Sequence, residues 1–321
     1  MRLSEIQIEQ QRWQNAFHTA VIFFLLALLF FLLGSWFFGP LGALILAAIG
    51  LISLSVSISR APRLILSFYG ARQLYPEEAT ALYNVTTLLS NWADLEHRPT
   101  LYYIPSSMQN AFAVGSGKHA AIAVSDGLIR KFPMWELAAI LAHEVSHIKN
   151  KDTYVLGVAD VFGRFTSFLS TIGLVLLLLA LPLYLVDAQP FPFIWLVLLN
   201  LLPLLSNLLL LALSRAREFQ ADLQAAVLTG DPRGLISALK RLEQQNYGFF
   251  ERWFPSQRNR RPEPSLLRTH PPTEERIQRL QAIQEEQTVP ILHLTEAPFI
   301  PYFPLQYQVK KPRWHLGGCW W

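Results

Sequence analysis

Charged residues are missing from four blocks of this chain, residues 19–38, 40–59, 167–186 and 193–213. Each block reaches the roughly 20 apolar residues that a helix needs to cross about 30 Å of hydrocarbon. Gly39 alone separates the first two, and Asp187-Ala-Gln-Pro-Phe-Pro192 separates the last two, so the pattern predicts two tight transmembrane hairpins. A cleaved signal peptide is the other reading of the first block. It fits poorly, because the apolar run is too long and a second one follows almost at once. Within the later blocks, Pro182 and Pro203 are expected to kink their helices. Asn200 and Asn207 are expected to hydrogen-bond between helices, with a polar substrate path as the alternative.

The polar stretches between the blocks have different periodicities. Residues 76–95 read as a helix begun by Pro76-Glu-Glu. Residues 100–104, 111–114 and 120–125 read as strands, the last two joined by the turn Gly115-Ser-Gly-Lys118. Pro133 opens another helix, marked by Leu137, Leu141, Val145 and Ile148 at helical spacing. The chain is expected to be helical again from about Ser214, to break at Gly230-Asp-Pro232, and to resume through Lys240 and Gln244. A Pro/Arg-rich loop at 259–272 precedes a short helix at 274–283. These divisions suggest an N-terminal segment and first hairpin (1–60), a first soluble part (61–166), a second hairpin (167–213), a second soluble part (214–296) and a tail (297–321). The tail is rich in proline and aromatics and ends Trp320-Trp321, residues that favour a membrane interface.

Composition sharpens this picture. Charged residues are 16% of the chain against 52% hydrophobic, well below the roughly 25% charged of a soluble domain. Two hairpins leave the N-terminus, the middle and the C-terminal part on one side. Arg12, Arg60, Arg63, Arg215 and Arg217 flank the blocks on that side, while the two hairpin turns carry no Lys or Arg. The positive-inside rule therefore predicts a four-span protein of the cytoplasmic (inner) membrane, with both termini and the soluble mass cytoplasmic. The net charge of +4 is small and no basic-aromatic stripe accompanies it, so nucleic acid is not expected as a partner. The lone Cys319 excludes an internal disulfide and a cysteine-rich metal site.

The chemistry concentrates in His143-Glu144-Val145-Ser146-His147. Histidines four apart on a helix project from one face and can share a Zn²⁺, with the intervening Glu144 placed to act on a water held there. Two surface histidines on an amphipathic helix are the bland alternative. A catalytic zinc wants a third protein ligand, and Asn150 and Thr153 stand where an extended HExxHxxGxxH motif would need Gly and His. Glu218 and Asp222, one helical turn apart, are candidates: Glu218 as ligand, Asp222 as acceptor for a ligand histidine's other N–H. An ordinary solvated face paired to Arg215 and Arg217 is the competing reading of that pair, and it yields only because the histidine motif is present.

NAFAVG (110–115), HEVSHIKNKD (143–152), SRAREFQAD (214–222) and THPPTEERI (269–277), in this order among the apolar blocks, resemble the HtpX-type integral-membrane zinc metalloproteases, relatives of the CAAX prenyl endopeptidases. The resemblance covers roughly residues 17–280. It implies His143, His147 and Glu218 as zinc ligands, Glu144 as general base and acid, and Asp222 as the orienting carboxylate. It also implies that Asn110, Ala111 and Phe112 lie on an edge strand where an extended peptide adds by main-chain hydrogen bonds, Asn110 positioning substrate or simply starting the strand. His270 would donate to the oxyanion or, equally, serve as a packing or capping residue at Pro271-Pro272. Arg217 would pair with a carboxylate near the site or with lipid phosphate.

The expected fold is mainly α with a small β-sheet, a gluzincin-like zinc metallopeptidase domain carried by four transmembrane helices. The expected activity is endoproteolysis of polypeptides, chiefly misfolded or damaged membrane proteins, at the lipid bilayer. A CAAX-type processing enzyme would be expected to carry more spans. A zinc-peptidase-like sensor would need a ligand-binding domain that the short hairpin turns lack, and a non-catalytic scaffold would be expected to have lost Glu144 or a ligand.

Overall fold

The structure, a computed structural model, describes residues 62–185, 193–253 and 272–286, with scattered positions between Trp13 and Leu44. The first two predicted spans fall largely outside the described residues, as do the turn 187–192, most of the 259–272 loop, His270 and the tail. The chain divides into two compact units, one of Met1–Arg12, Ile58–Tyr154 and Arg217–Trp321, the other of Trp13–Ser57 and Val155–Ala216.

The first unit is built on a four-stranded mixed sheet of β1 (Arg72–Gln73), β2 (Thr100–Ile104), β3 (Ala111–Val114) and β4 (Ala121–Ser125), in the order β1-β2-β4-β3. β2 and β4 are parallel, whereas β1 on β2 and β3 on β4 are antiparallel. This places β3 on an edge of the sheet. Period-two alternation sorts the side chains. Ile104, Val114, Ala121 and Ala123 pack with Leu66 of α1 (residues 62–68) on one face, joined by Phe112. Leu101, Tyr103, Ile122 and Val124 point to the opposite face, into the main core. That core is built with α2 (Thr80–Trp92), α3 (Asp126–Lys131), α4 (Met134–Lys149), α7 (Pro232–Trp253) and α8 (Thr273–Glu286). The predicted stripe Leu137, Leu141, Val145 and Ile148 is buried along α4, which anchors the helix carrying both histidines.

Three readings from local pattern need correction. The helix expected from Pro76 begins at Thr80. Glu78 turns back to accept from the Tyr75 N–H at 2.9 Å and pairs with Arg72, which makes 76–78 a turn. The two-residue β1 and the six-residue α3 were not foreseen, being too short for a period to register. The fourth block and the helix expected from Ser214 are one helix, α6 (Phe193–Thr229), because nothing in Leu213-Ser-Arg-Ala-Arg217 breaks helical geometry.

α5 (Asp152–Leu185) and α6, whose residues 155–216 belong to the second unit, supply two stretches long and apolar enough to cross a membrane, Gly163–Pro182 and Leu196–Thr229. Pro182 and Pro203 lie inside these helices. Asn200 accepts from Ser170 Oγ at 3.2 Å, a bond between helices of the kind expected. Gly173 admits close approach, since a Cβ there would sit 2.6 Å from Leu199 Cδ2.

Candidate active site

α4 presents His143 and His147 one turn apart, with ring centroids 4.6 Å from each other. The two Nε2 atoms face one another at 3.0 Å. Glu218, brought by α6, closes the group, its Oε2 lying 3.5 Å from His143 Nε2 and its Oε1 3.8 Å from His147 Nε2. One ligand atom from each of the three falls within 4.8 Å of the others, a spacing that could hold a metal ion.

The far side of each ring shows what the near side lacks. His147 Nδ1 is 2.8 Å from Asp152 Oδ2, and His143 Nδ1 is 3.0 Å from Asp222 Oδ1, the latter approach too bent for a full hydrogen bond. A carboxylate beside Nδ1 keeps the proton of a neutral imidazole on that nitrogen. Both Nε2 lone pairs then meet each other and the Glu218 carboxylate with no hydrogen between them. Three electron-pair donors converging in a buried pocket need a cation. The pull toward positive charge also shows on His143: burial pushes its imidazole pKa down, but the Asp222 and Glu218 carboxylates outweigh burial and hold it up at about 10, so that a proton fills the role of the cation when no metal does. The residues present fit a divalent metal.

The supporting carboxylates are themselves held. Asp222 receives Arg276 in a bidentate pair, Nε to Oδ2 at 2.7 Å and Nη2 to Oδ1 at 2.6 Å. Arg276 Nη1 also lies 3.3 Å from Glu218 Oε2. Asp152, 1% exposed, receives Arg217 Nη1 at 3.0 Å. Asp152 reaches His147 because α4 ends at Lys149, capped by Asn150, and Lys151 takes a left-handed conformation, φ 54°, which redirects the chain so that α5 starts at Asp152. Asn150 is tied to α6 through a paired amide contact with Gln224 at 2.9 and 3.3 Å.

Glu144 is buried on the same helix. Burial pushes its carboxyl up from the ordinary range; the His143 and His147 rings offset part of that, Glu218 adds to it, and a hydrogen bond from the Ala113 N–H lowers it. That bond also orients β3. Ser125 N donates to Asn110 O, so residues 110, 112 and 114 face β4. By strand alternation the main-chain groups of Ala111 and Ala113 turn outward, on the Glu144 side.

The structure therefore brings together His143, Glu144, His147, Glu218 and Asp222, with Ala111 and Phe112 on the adjoining edge strand. Asn110 is exposed beside that strand, its backbone N–H on Ser125 Oγ. The roles of Asp152 and Arg276 were missed. Both stand inside stretches already singled out, HEVSHIKNKD and THPPTEERI, but nothing in helical spacing says that a ring and a carboxylate five residues apart will meet across a tight turn. Arg217 has a carboxylate partner near the site, Asp152, while Asp222 and Glu218 are both reached by Arg276.

Comparison with known proteins agrees with this geometry. Residues 76–284 match peptidase family M48. The chain is 38% identical over 235 residues to the protein named Protease HtpX homolog of Acaryochloris marina, covering 69% of this chain and 78% of that one. It is 32% identical over 295 residues to the Protease HtpX homolog of Trichormus variabilis, covering 85% of this chain and 98% of the relative. The corresponding protein of Pyrococcus furiosus is 33% identical over 243 residues, 70% of this chain and 81% of its own length. The chain belongs to peptidase family M48, among its HtpX-type membrane proteases.

Proposed function

We propose that this protein is a zinc-dependent endopeptidase of the cytoplasmic membrane that cleaves misfolded or damaged membrane proteins. His143, His147 and Glu218 would hold the ion. The carrying observation is the convergence of two imidazoles and a carboxylate, with the opposite ring nitrogens facing carboxylates, that of His147 hydrogen-bonded to Asp152 and that of His143 3.0 Å from Asp222. Zinc held there would lower the pKa of a water toward about 7 and polarise a scissile carbonyl.

The chain's own residues do the rest. Glu144, kept less acidic than an ordinary carboxyl by burial, accepts the proton of the attacking water. As the water oxygen bonds to the carbonyl carbon and the C–N bond breaks, Glu144 returns that proton to the departing amine. Asp222 and Asp152 hold the two rings in the tautomer that exposes Nε2. β3 receives the substrate as an added strand through the outward main-chain groups of Ala111 and Ala113, Phe112 filling the sheet behind them, while Asn110 helps to position the chain and His270 donates to the oxyanion. Backbone pairing of this kind recognises any extended sequence, which suits a quality-control protease. Four spans with the active site cytoplasmic complete the reading, supported by the arginine distribution and by the apolar stretches of α5 and α6.

Replacing Glu144 by Gln tests the assignment. The variant is expected to retain its metal and to lose cleavage of an unfolded protein such as casein by about 10²–10⁴-fold; undiminished cleavage would refute the role.

A further inference from the structure

α1 lies against the sheet with one face only. Ile65, Leu66 and Tyr69 pack toward β3 and β4, Tyr69 meeting the Phe112 ring at 4.7 Å between centroids. Arg63, Leu64, Ser67 and Phe68 form the opposite face and are exposed. Leu64 at 66% and Phe68 at 63% are the most exposed large apolar side chains among the described residues of the peptidase unit. They are four apart and so adjacent on the helix surface. An apolar pair flanked by an arginine suits a bilayer surface, the ring and leucine entering the acyl boundary and the guanidinium meeting headgroup phosphates.

Chain length commits the occupant. The uncharged block 40–59 ends three residues before α1, and an extended chain spans at most about 3.6 Å per residue. If that block crosses the membrane, α1 cannot leave the vicinity of the lipid surface. We propose that the Arg63–Leu64–Ser67–Phe68 face of α1 seats the peptidase unit on the cytoplasmic bilayer surface. The proposal rests on reading residues 40–59 as a membrane span. Its consequence deepens the proposed function. With α1 on lipid, β3 is held about one helix diameter, roughly 10 Å, from the headgroups. The peptide that reaches it is then an extended segment just leaving the bilayer.

The test uses the full chain with Cys319→Ser, carrying single cysteines in place of Leu64, Phe68, Ala48 and Lys240. Ala48 lies within the uncharged block, and Lys240 is exposed on α7, a helix of the core on the opposite face of the sheet from α1. Each variant is labelled with an environment-sensitive fluorophore and reconstituted in phosphatidylcholine–phosphatidylglycerol vesicles with or without acyl-chain bromines. The labels at 64, 68 and 48 are expected to shift to the blue and lose most of their emission to bromine, while the label at 240 does neither. Quenching at 48 with water-like, unquenched labels at 64 and 68 would overturn the proposal and leave the membrane reading standing. No quenching at 48 would remove the span and the proposal with it. Labels at 64 and 68 that shift to the blue without bromine quenching, and more so at higher protein density, would assign the face to a second copy and also overturn the proposal.

Discussion

The two histidines are braced in different ways. His147 takes its carboxylate from five residues downstream, where Lys151 turns the chain and Asp152 opens α5. His143 takes its carboxylate from α6, and that carboxylate is gripped by an arginine of α8. One brace is local and depends on a turn. The other joins three segments far apart in sequence and forms only when the unit is folded. Half of this site is therefore written into one short stretch, whereas the other half has to be assembled against the entropy of ordering distant segments.

The assembled brace is the more vulnerable, and the largest effect is expected there. Arg276→Ala would take from the buried Asp222 its bidentate partner, which costs about 3–5 kcal/mol when a buried pair is broken. Thermal unfolding of the purified chain should show that loss; a midpoint unchanged from the parent would remove Arg276 from the account. Next come the two carboxylates themselves. Asp222→Asn and Asp152→Asn should each weaken metal binding by about 10–100-fold, as expected for partners of ligating histidines. Competition with a chelator measures both, and the comparison reverses if only the Asp152 variant responds. The smallest effect is at the turn. Lys151→Gly removes the strain of a left-handed lysine and should raise stability by about 1 kcal/mol with metal affinity unchanged. A drop in affinity would show that the lysine side chain, and not the backbone it bends, places Asp152.

How far the chain could be read from its residues follows the same division. The stripe Leu137–Leu141–Val145–Ile148 predicted α4, and the spacing of His143, Glu144 and His147 placed them on one helix, because helical period is a local property. The pair Glu218 and Asp222 was readable only by its company, since one turn of a charged helix looks alike on any surface. Strands β2, β3 and β4 were foreseen nearly to the residue, but β1 is two residues long and owes its existence to β2. Pro76 misled because the Glu78 carboxylate captured the Tyr75 N–H and made a turn where a helix start was expected. Arg276 could not have been placed, because its partner on α6 lies 54 residues away and no periodicity spans that distance. Two of the four apolar blocks correspond to α5 and α6; the other two lie largely outside the described residues.

The central claim is that His143, His147 and Glu218 hold a single ion. It is tested most directly by metal analysis of the purified full-length chain after dialysis, comparing the parent with Glu144→Gln and Glu218→Ala. The account predicts zinc retained by the parent and by Glu144→Gln, and largely lost from Glu218→Ala while its thermal unfolding remains cooperative. Zinc retained in Glu218→Ala at the parent's level would contradict it.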